Sequence, residues 1–253
     1  MKANKIMLTV FVSDLHLSQE RPEQVKLFFE LLAAMPTESQ LYVLGDLFEI
    51  WLGDDDDTPP NLEIVEKLAA YANRCKGLYV MRGNRDFLYG DEFIAKTGAV
   101  LLEDYATVML SNLQVLLTHG DLLCTKDVKY QAFRQFVRDE NNQREFLSHP
   151  LAQRRLIAQQ TQTGTKASML EKDDFIMDVE QSTVESVMQA HQVTTLIHGH
   201  THRPADHEFS IDGLIYSRRV LGDWYDAESI VYWQNGEFCR TQAADLINDV
   251  GVR

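Results

Sequence analysis

Long apolar runs are missing from this chain of 253 residues. The apolar run nearest the start, Ile6 to Val12, is seven residues long, which suits a buried strand and not a signal-peptide core. No run approaches the length of a bilayer span, so any work on a membrane is expected from one side. Cysteine is scarce: Cys75, Cys124 and Cys239 are widely spaced, odd in number and form no CxxC. That excludes a disulfide framework and a thiolate zinc site, and leads to the expectation of reduced, partly buried thiols in a cytosolic protein. Basic residues are outnumbered, 24 Lys and Arg against 38 Asp and Glu, for a net charge of −14. A surface of that sign repels phosphate backbones and argues against nucleic acid as a partner. No Gly/Ser linker breaks the chain, so one domain over 1–253 is expected. A hydrophobic content of 45% and a charged content of 25% exclude a disordered or low-complexity chain.

The charge is unevenly spread. From Lys126 to Lys172 there are nine Lys or Arg against five Asp or Glu. A basic island in an acidic protein is a landing place for a phosphorylated ligand. Elsewhere short apolar runs alternate with helical patterns. Ile6–Val12, Leu41–Leu44, Leu78–Met81, Val115–Thr118 and Thr195–His198 read as buried strands. Pro22–Met35 and Asn61–Arg74 read as amphipathic helices, with Val25, Phe28, Phe29 and Leu32 on one face of the first. The alternation predicts α/β layering with a mainly parallel sheet. His207–Ile211, Leu214–Leu221 and Ser229–Trp233 read as antiparallel strands added late, with Trp224 and Trp233 closing their core.

The ends of the buried strands share a chemistry. Val12 is followed by Ser13-Asp14-Leu15-His16, Leu44 by Gly45-Asp46, and Met81 by Arg82-Gly83-Asn84-Arg85-Asp86. Thr118 is followed by His119-Gly120-Asp121, and His198 by Gly199-His200-Thr201-His202. Ligands of open α/β sheets gather beyond the carboxyl ends of strands, so these loops suggest one site. Asp14, Asp46, Asn84 and His119 are separated by 32, 38 and 35 residues, each about one strand–helix–strand unit. The next gap, His119 to His200, is 81 residues and coincides with the basic island. A helical lid of about 126–172 is expected there, opening with a helix on which Val128, Ala132, Phe133, Phe136 and Val137 share a face. That face suits either acyl-chain grooves or plain helix packing. Arg154 and Arg155 suit either anionic lipid headgroups or a solvated face.

Asp14, His16, Asp46, Asn84, His119, His200 and His202 are seven donors of mixed oxygen and nitrogen type. One carboxylate bridging two ions makes the set large enough for a dinuclear centre. Imidazole with carboxylate suits Mn2+, Fe2+ or Zn2+ better than Ca2+. Two such ions activate water and clamp a phosphoryl group during in-line displacement. Taken singly, each motif is a strand-end cap or turn; their order and spacing set them apart. Asp54–Asp57 resembles a calcium cluster but lacks the glycine and terminal glutamate of an EF-hand loop.

The pattern Asp14-x-His16, Gly45-Asp46, Gly83-Asn84, His119 and Gly199-His200-x-His202 resembles the calcineurin-like metallophosphoesterases. The longer strings Phe48–Asp55, His119–Thr125 and His198–Pro204, with Arg85 where the superfamily usually has histidine, resemble its UDP-2,3-diacylglucosamine pyrophosphohydrolase branch, over about Ile6 to Trp233. The resemblance implies an α/β fold in which a β-sandwich is layered with helices (αββα). It implies hydrolysis of a UDP-diacylglucosamine lipid by water attack at the α-phosphorus, giving UMP and 2,3-diacylglucosamine 1-phosphate in lipid A biosynthesis. It also implies two Mn2+ ions and a peripheral place on the cytoplasmic face of the bacterial inner membrane; a monomer is expected. Carried over by position, one ion is held by Asp14, His16, Asp46 and His202, and the other by Asp46, Asn84, His119 and His200. Arg85, Asn84 and His200 become the catalytic residues. Asn84, Arg85, Asp127, Thr165, Lys172 and His200 become substrate contacts, while Met169 stands where the family has an asparagine contact. Arginine stays charged and is no general acid near neutral pH. At position 85 it suits a phosphate leaving group that needs no proton; a salt bridge to Asp86 is the alternative. A soluble nucleotide diphosphate or phosphodiester as substrate, and a metal-free binding scaffold, are the competing readings.

Overall fold

The structure is a computed structural model and describes residues 7–169, 178–224 and 229–251. Helix α1 (Pro22–Ala34) starts on a proline whose ring presets the first helical turn, and buries Val25, Phe28, Leu31 and Leu32. Helix α2 (Asn61–Arg74) buries Ile64, Val65, Leu68 and Tyr71, again at helical spacing. Between and beyond them run β1 (Leu8–Val12), β2 (Ser39–Val43), β3 (Gly77–Met81), α3 (Asp91–Thr97) and β4 (Val100–Leu102). These strands pair in parallel, β1 with β2, β2 with β3 and β3 with β4.

A second sheet follows. Strands β5 (Ala106–Leu110) and β6 (Leu113–Thr118) form an antiparallel hairpin, and β6 pairs in parallel with β7 (Thr195–His198). Helix α7 (Gln181–Ala190) precedes β7. Strands β8 (Ala205–Ile211) and β9 (Leu214–Val220) form a hairpin whose second arm lies parallel to β7. The chain then returns to the first sheet: β10 (Ile230–Gln234) pairs antiparallel with β1, β11 (Glu237–Thr241) with β10, and α8 (Ala243–Gly251) closes the chain.

The layered sandwich that the resemblance implies is what the chain forms: two sheets, ordered β11-β10-β1-β2-β3-β4 and β5-β6-β7-β9-β8, where strand–helix alternation alone predicts a mainly parallel sheet. Alternation along the strands sorts the core into three layers. Leu8, Val10 and Val12 of β1 face α1 and α2, while Phe11 faces the other sheet with Val115, Leu117 and Ile197. Leu116 and Leu196 face outward onto Val184 and Met188 of α7. The order is helix, sheet, sheet, helix. Trp233 packs between the sheets, but Trp224 joins the first layer instead, edge-on to Phe28 at 5.9 Å.

The long gap before β7 is helical: α4 (Val128–Arg138), α5 (Glu140–Ser148) and α6 (Leu151–Met169). Asp127 caps α4 by accepting from the Tyr130 amide (3.1 Å), and Asp139 caps α5 through the Asn141 and Asn142 amides. Neither α4 nor α5 has a fully buried residue, so polar contacts do much of the docking. Arg154 is 2% exposed and donates to the carbonyls of His149 and Leu52 and to Asp55. Arg155 pairs with Asp57 at 2.5 Å. The two arginines thus fasten α6 to the 52–58 loop. Asp54 accepts from the amides of Gly90, Glu92 and Phe93 at the start of α3, and Asp56 from Leu52 and Thr58. This acidic run is a set of caps and arginine partners. Arg154→Met leaves the buried Leu52 carbonyl and the half-buried His149 carbonyl without this donor and is expected to cost about 2 kcal/mol. For a chain of this size that is about 4–8 °C in Tm by calorimetry. No helix among the described residues is long and apolar enough to cross a membrane.

Candidate metal centre

The five parallel strands β1, β2, β3, β6 and β7 end on the same side, and the loops that leave them meet. Several candidate donors sit in left-handed backbone: Asp14 at φ 54°, His16 at 46°, Asp46 at 53°, His200 at 69° and His202 at 52°. Each such residue costs about 1–3 kcal/mol, a strain that persists only where the surroundings enforce it. Two glycines permit the close approach. A Cβ on Gly83 would run into Asp46 Oδ1, and one on Gly199 into the side chains of Ser13 and Asp14.

The donors form two adjoining groups. In one, His16 Nε2 lies 3.4 Å from His202 Nε2, and His202 Nε2 lies 3.3 Å from Asp14 Oδ1. In the other, Asn84 Oδ1 stands 2.9 Å from His119 Nε2 and 3.0 Å from His200 Nδ1. Asp46 stands between them, with Oδ2 3.8 Å from His16 Nε2 and Oδ1 3.9 Å from His119 Nε2. Asp14, Asp46 and His119 also place one donor atom each within 4.8 Å of one another. All seven predicted donors are brought together. A shared carboxylate with oxygen and imidazole nitrogen on either side fits a pair of divalent cations, since a carboxylate offers one anionic oxygen to each while an imidazole nitrogen serves a single ion.

The surroundings set tautomers and charges. His119 Nδ1 donates to the Leu44 carbonyl at 2.8 Å, which leaves Nε2 free to face the site. His202 Nδ1 lies 3.2 Å from Asp223, and His16 Nδ1 3.5 Å from Glu49. Burial pushes His16 down to about 3, and His200 down to about 4 with His119 adding to the effect. Burial also opposes charge on His202, but Asp14 and Asp223 overcome it and raise that ring to about 10. Asp46 is pushed up to about 7 by burial, against the pull of His119, with Asp86 and Asp14 adding to the rise. Asp14 and Asp46, buried side by side among imidazoles, form a donor set in which a bound cation would relieve the repulsion between the two carboxylates.

The sequence profile of the family described as Calcineurin-like phosphoesterase matches residues 7–204. The chain belongs to that family. A Coxiella burnetii relative named UDP-2,3-diacylglucosamine hydrolase is 44% identical over 232 residues, 91% of this chain and 95% of that protein. Proteins of the same name from Aromatoleum aromaticum and Marinobacter nauticus are each 43% identical, over 90% of this chain and 93% and 92% of theirs.

In this calcineurin-like phosphoesterase the remaining site residues fall as follows. The Arg85 amide donates to Asp46 Oδ1 at 2.8 Å, and its side chain lines the cavity above the donors. Asp86 turns away from Arg85. It accepts from the amides of Asp46, Leu47, Phe48 and Gly83 and from the Tyr89 hydroxyl, so the alternative Arg85–Asp86 pair is not formed. Arg85 Nε is buried without a hydrogen-bond partner. Asp127 lines the same cavity while capping α4. Thr165 belongs to α6, but its side chain, like that of Met169 and the whole of Lys172, lies outside the described residues. Sequence reasoning missed Asp223 and Glu49 as partners of His202 and His16. It also missed Asp121, which accepts from Tyr130 Oη and Arg134 Nε, both at 2.6 Å, and so ties α4 to the loop carrying His119. Asp121 adjoins the His119-Gly120 motif, the one local signal that could have found it.

Proposed function

We propose that this phosphoesterase hydrolyses the pyrophosphate bond of UDP-2,3-diacylglucosamine, releasing UMP and 2,3-diacylglucosamine 1-phosphate. The observation that carries the reading is a cavity of about 620 Å³ with two unlike ends. Its floor holds His16, Asp46, Asn84, His200 and His202; its walls include Trp51, Phe133, Phe136, Phe146 and Ile157. Diphosphate chemistry and an acyl chain are both accommodated in one space. The relatives' name supports the same substrate.

Two divalent cations, which we take to be Mn2+, would be held by Asp14, His16, Asp46 and His202 and by Asp46, Asn84, His119 and His200, and would supply Lewis acidity and acidify the attacking water. The protein's own part is orientation and charge. Water attacks the α-phosphorus, a P–O bond to the water oxygen forms, and the bond to the bridging oxygen breaks. That oxygen leaves with the lipid as a phosphate monoester. Arg85 meets the charge that builds on the transferring group with a guanidinium that stays protonated throughout. Asn84 and His200 face the same phosphoryl group, and Asp127 the substrate above it. The walls keep bulk water from the reacting centre.

Peripheral contact with the cytoplasmic face of the inner membrane belongs to the same reading. Val128 and Phe136 of α4, Leu147 of α5 and Leu156 of α6 are exposed, and Phe136 also lines the cavity. A lipid leaving the bilayer meets these helices first. All seven donors come from one chain, which supports a working monomer.

Purified protein with added Mn2+ and UDP-2,3-diacylglucosamine, followed by 31P NMR in 18O-labelled water, tests the reaction. Label in UMP is the expected result. Label in the lipid phosphate, or turnover of bis-p-nitrophenyl phosphate with none of the lipid, rejects the reading. Phe136→Ala is expected to raise KM for the lipid about tenfold to a hundredfold, the worth of covering one exposed phenyl group with an acyl chain. It should leave KM for bis-p-nitrophenyl phosphate unchanged.

A further inference from the structure

Helix α4 reaches past the cavity to the loop that carries Asn84. Arg138 Nη2 donates to the Gly83 carbonyl at 2.9 Å and lies 3.4 Å from that of Arg82. Its guanidinium stacks over the Phe87 ring, 5.6 Å from the centroid, and Nη1 lies 3.8 Å from Asp104. Only about 10 Å³ of space, room for one water, separates α4 from Asn84 and Phe87. The 83–86 loop is otherwise held from below. Asp86 binds the Gly83 and Asp46 amides, and the Arg85 amide binds Asp46. A Cβ on Gly83 would overlap Asp46, so the peptide is closely backed on that side and its carbonyl is held from the other by Arg138.

We propose that Arg138 is a positioning residue for the cation group made by Asn84, His119 and His200. A carbonyl fixed by a charged donor fixes the peptide that precedes Asn84, and hence where Asn84 Oδ1 points. Charge-assisted bonds of this kind are stronger than neutral ones and directional. The insertion is then more than a cover for the substrate: one of its side chains sets the geometry of a metal ligand. The His16–His202–Asp14 group has no such tie to α4 among the described residues. The inference rests on the two-cation reading of the donors and not on the lipid as substrate.

Calorimetric titration of the metal-free protein with Mn2+ alone tests it. The parent is expected to bind two ions. Arg138→Met keeps the bulk and the stacking surface but removes the donors. One binding step should weaken about tenfold to a hundredfold, the usual cost of losing a partner behind a ligand, while the other stays within about twofold. With bis-p-nitrophenyl phosphate, kcat should fall about tenfold or more with KM nearly unchanged, and Arg138→Lys should recover part of the loss. Asp104→Asn removes the outer ion pairs to Arg138 and Arg134 without touching the Gly83 carbonyl, and Arg134 keeps its bond to Asp121, so neither binding step should change. Equal weakening of both steps, no weakening, or the same effect from Asp104→Asn would overturn the proposal. Should Arg138→Met fail to fold, Arg138→Lys carries the same titration, with one weakened step expected and two unaltered steps overturning it. A parent that binds fewer than two ions rejects the two-cation reading itself.

Discussion

Asp46→Asn is expected to lower turnover by about a thousandfold or more while leaving the metal-free protein at least as stable as its parent. The two halves have one cause. Asp46 is 1% exposed and lies between the two donor groups. On the proposed two-cation reading, losing the shared carboxylate would remove one anionic ligand from both sides, and the several kcal/mol that bound cations contribute to phosphoryl transfer would go with it, each 1.36 kcal/mol being about tenfold. Without metal the same carboxylate is a burden. Burial, Asp86 and Asp14 all disfavour its charge, and the pull of His119 compensates only in part, which is why it is raised to about 7. Asparagine keeps an oxygen for the Arg85 amide and tolerates left-handed backbone, so the local contacts survive. Calorimetric melting of both proteins after exhaustive chelation, then with Mn2+, separates the effects. The parent should gain stability from metal and the variant little. A variant that melts well below the metal-free parent would show that Asp46 serves the fold instead.

Such a residue trades stability for function, and that trade is part of why the site was legible. Asp, His and Asn following one apolar run after another, at intervals of one strand–helix–strand unit, have no purpose in turns alone. The structure brings all seven together. Less of the architecture could be read. Strands such as β1 and β7, buried along their whole length, look the same in one parallel sheet as in two sheets packed face to face. The partner that decides between them, β10 beside β1, lies more than two hundred residues away in sequence. Strands β4 and β11 are short and only partly buried, and carry too weak an apolar signal to be found. The arginine pair shows the same limit on the helical insertion. Arg154 and Arg155 sit next to each other on a surface helix, and their acidic partners stand 99 and 98 residues earlier. Nothing local distinguishes two docking arginines from two solvated ones.

Arg85→Ala is expected to lower kcat for the diphosphate about a hundredfold to a thousandfold, the usual cost of removing one preorganised donor from a transition state. The position isolates the side chain cleanly. Its amide and carbonyl are already engaged, donating to Asp46 and accepting from Trp51, and any residue supplies those bonds. The guanidinium therefore acts on its own account. It has no pair with Asp86, its Nε is buried without a partner, and it opens onto the cavity beside Asn84 and His200. A buried donor left unsatisfied costs about 1–3 kcal/mol, which is tolerable where a ligand supplies the acceptor. In the proposed reaction, phosphoryl oxygens would supply it. Arg85→Lys should recover only part of the rate, because a single ammonium cannot reproduce the planar two-pronged contact of a guanidinium with phosphate. Single-turnover measurements at saturating substrate distinguish this from a binding effect, since a contact made mainly in the transition state lowers kcat and kcat/KM together. A loss below tenfold in Arg85→Ala would leave the arginine as a structural charge and move the work of stabilising the phosphoryl group entirely onto the metal centre.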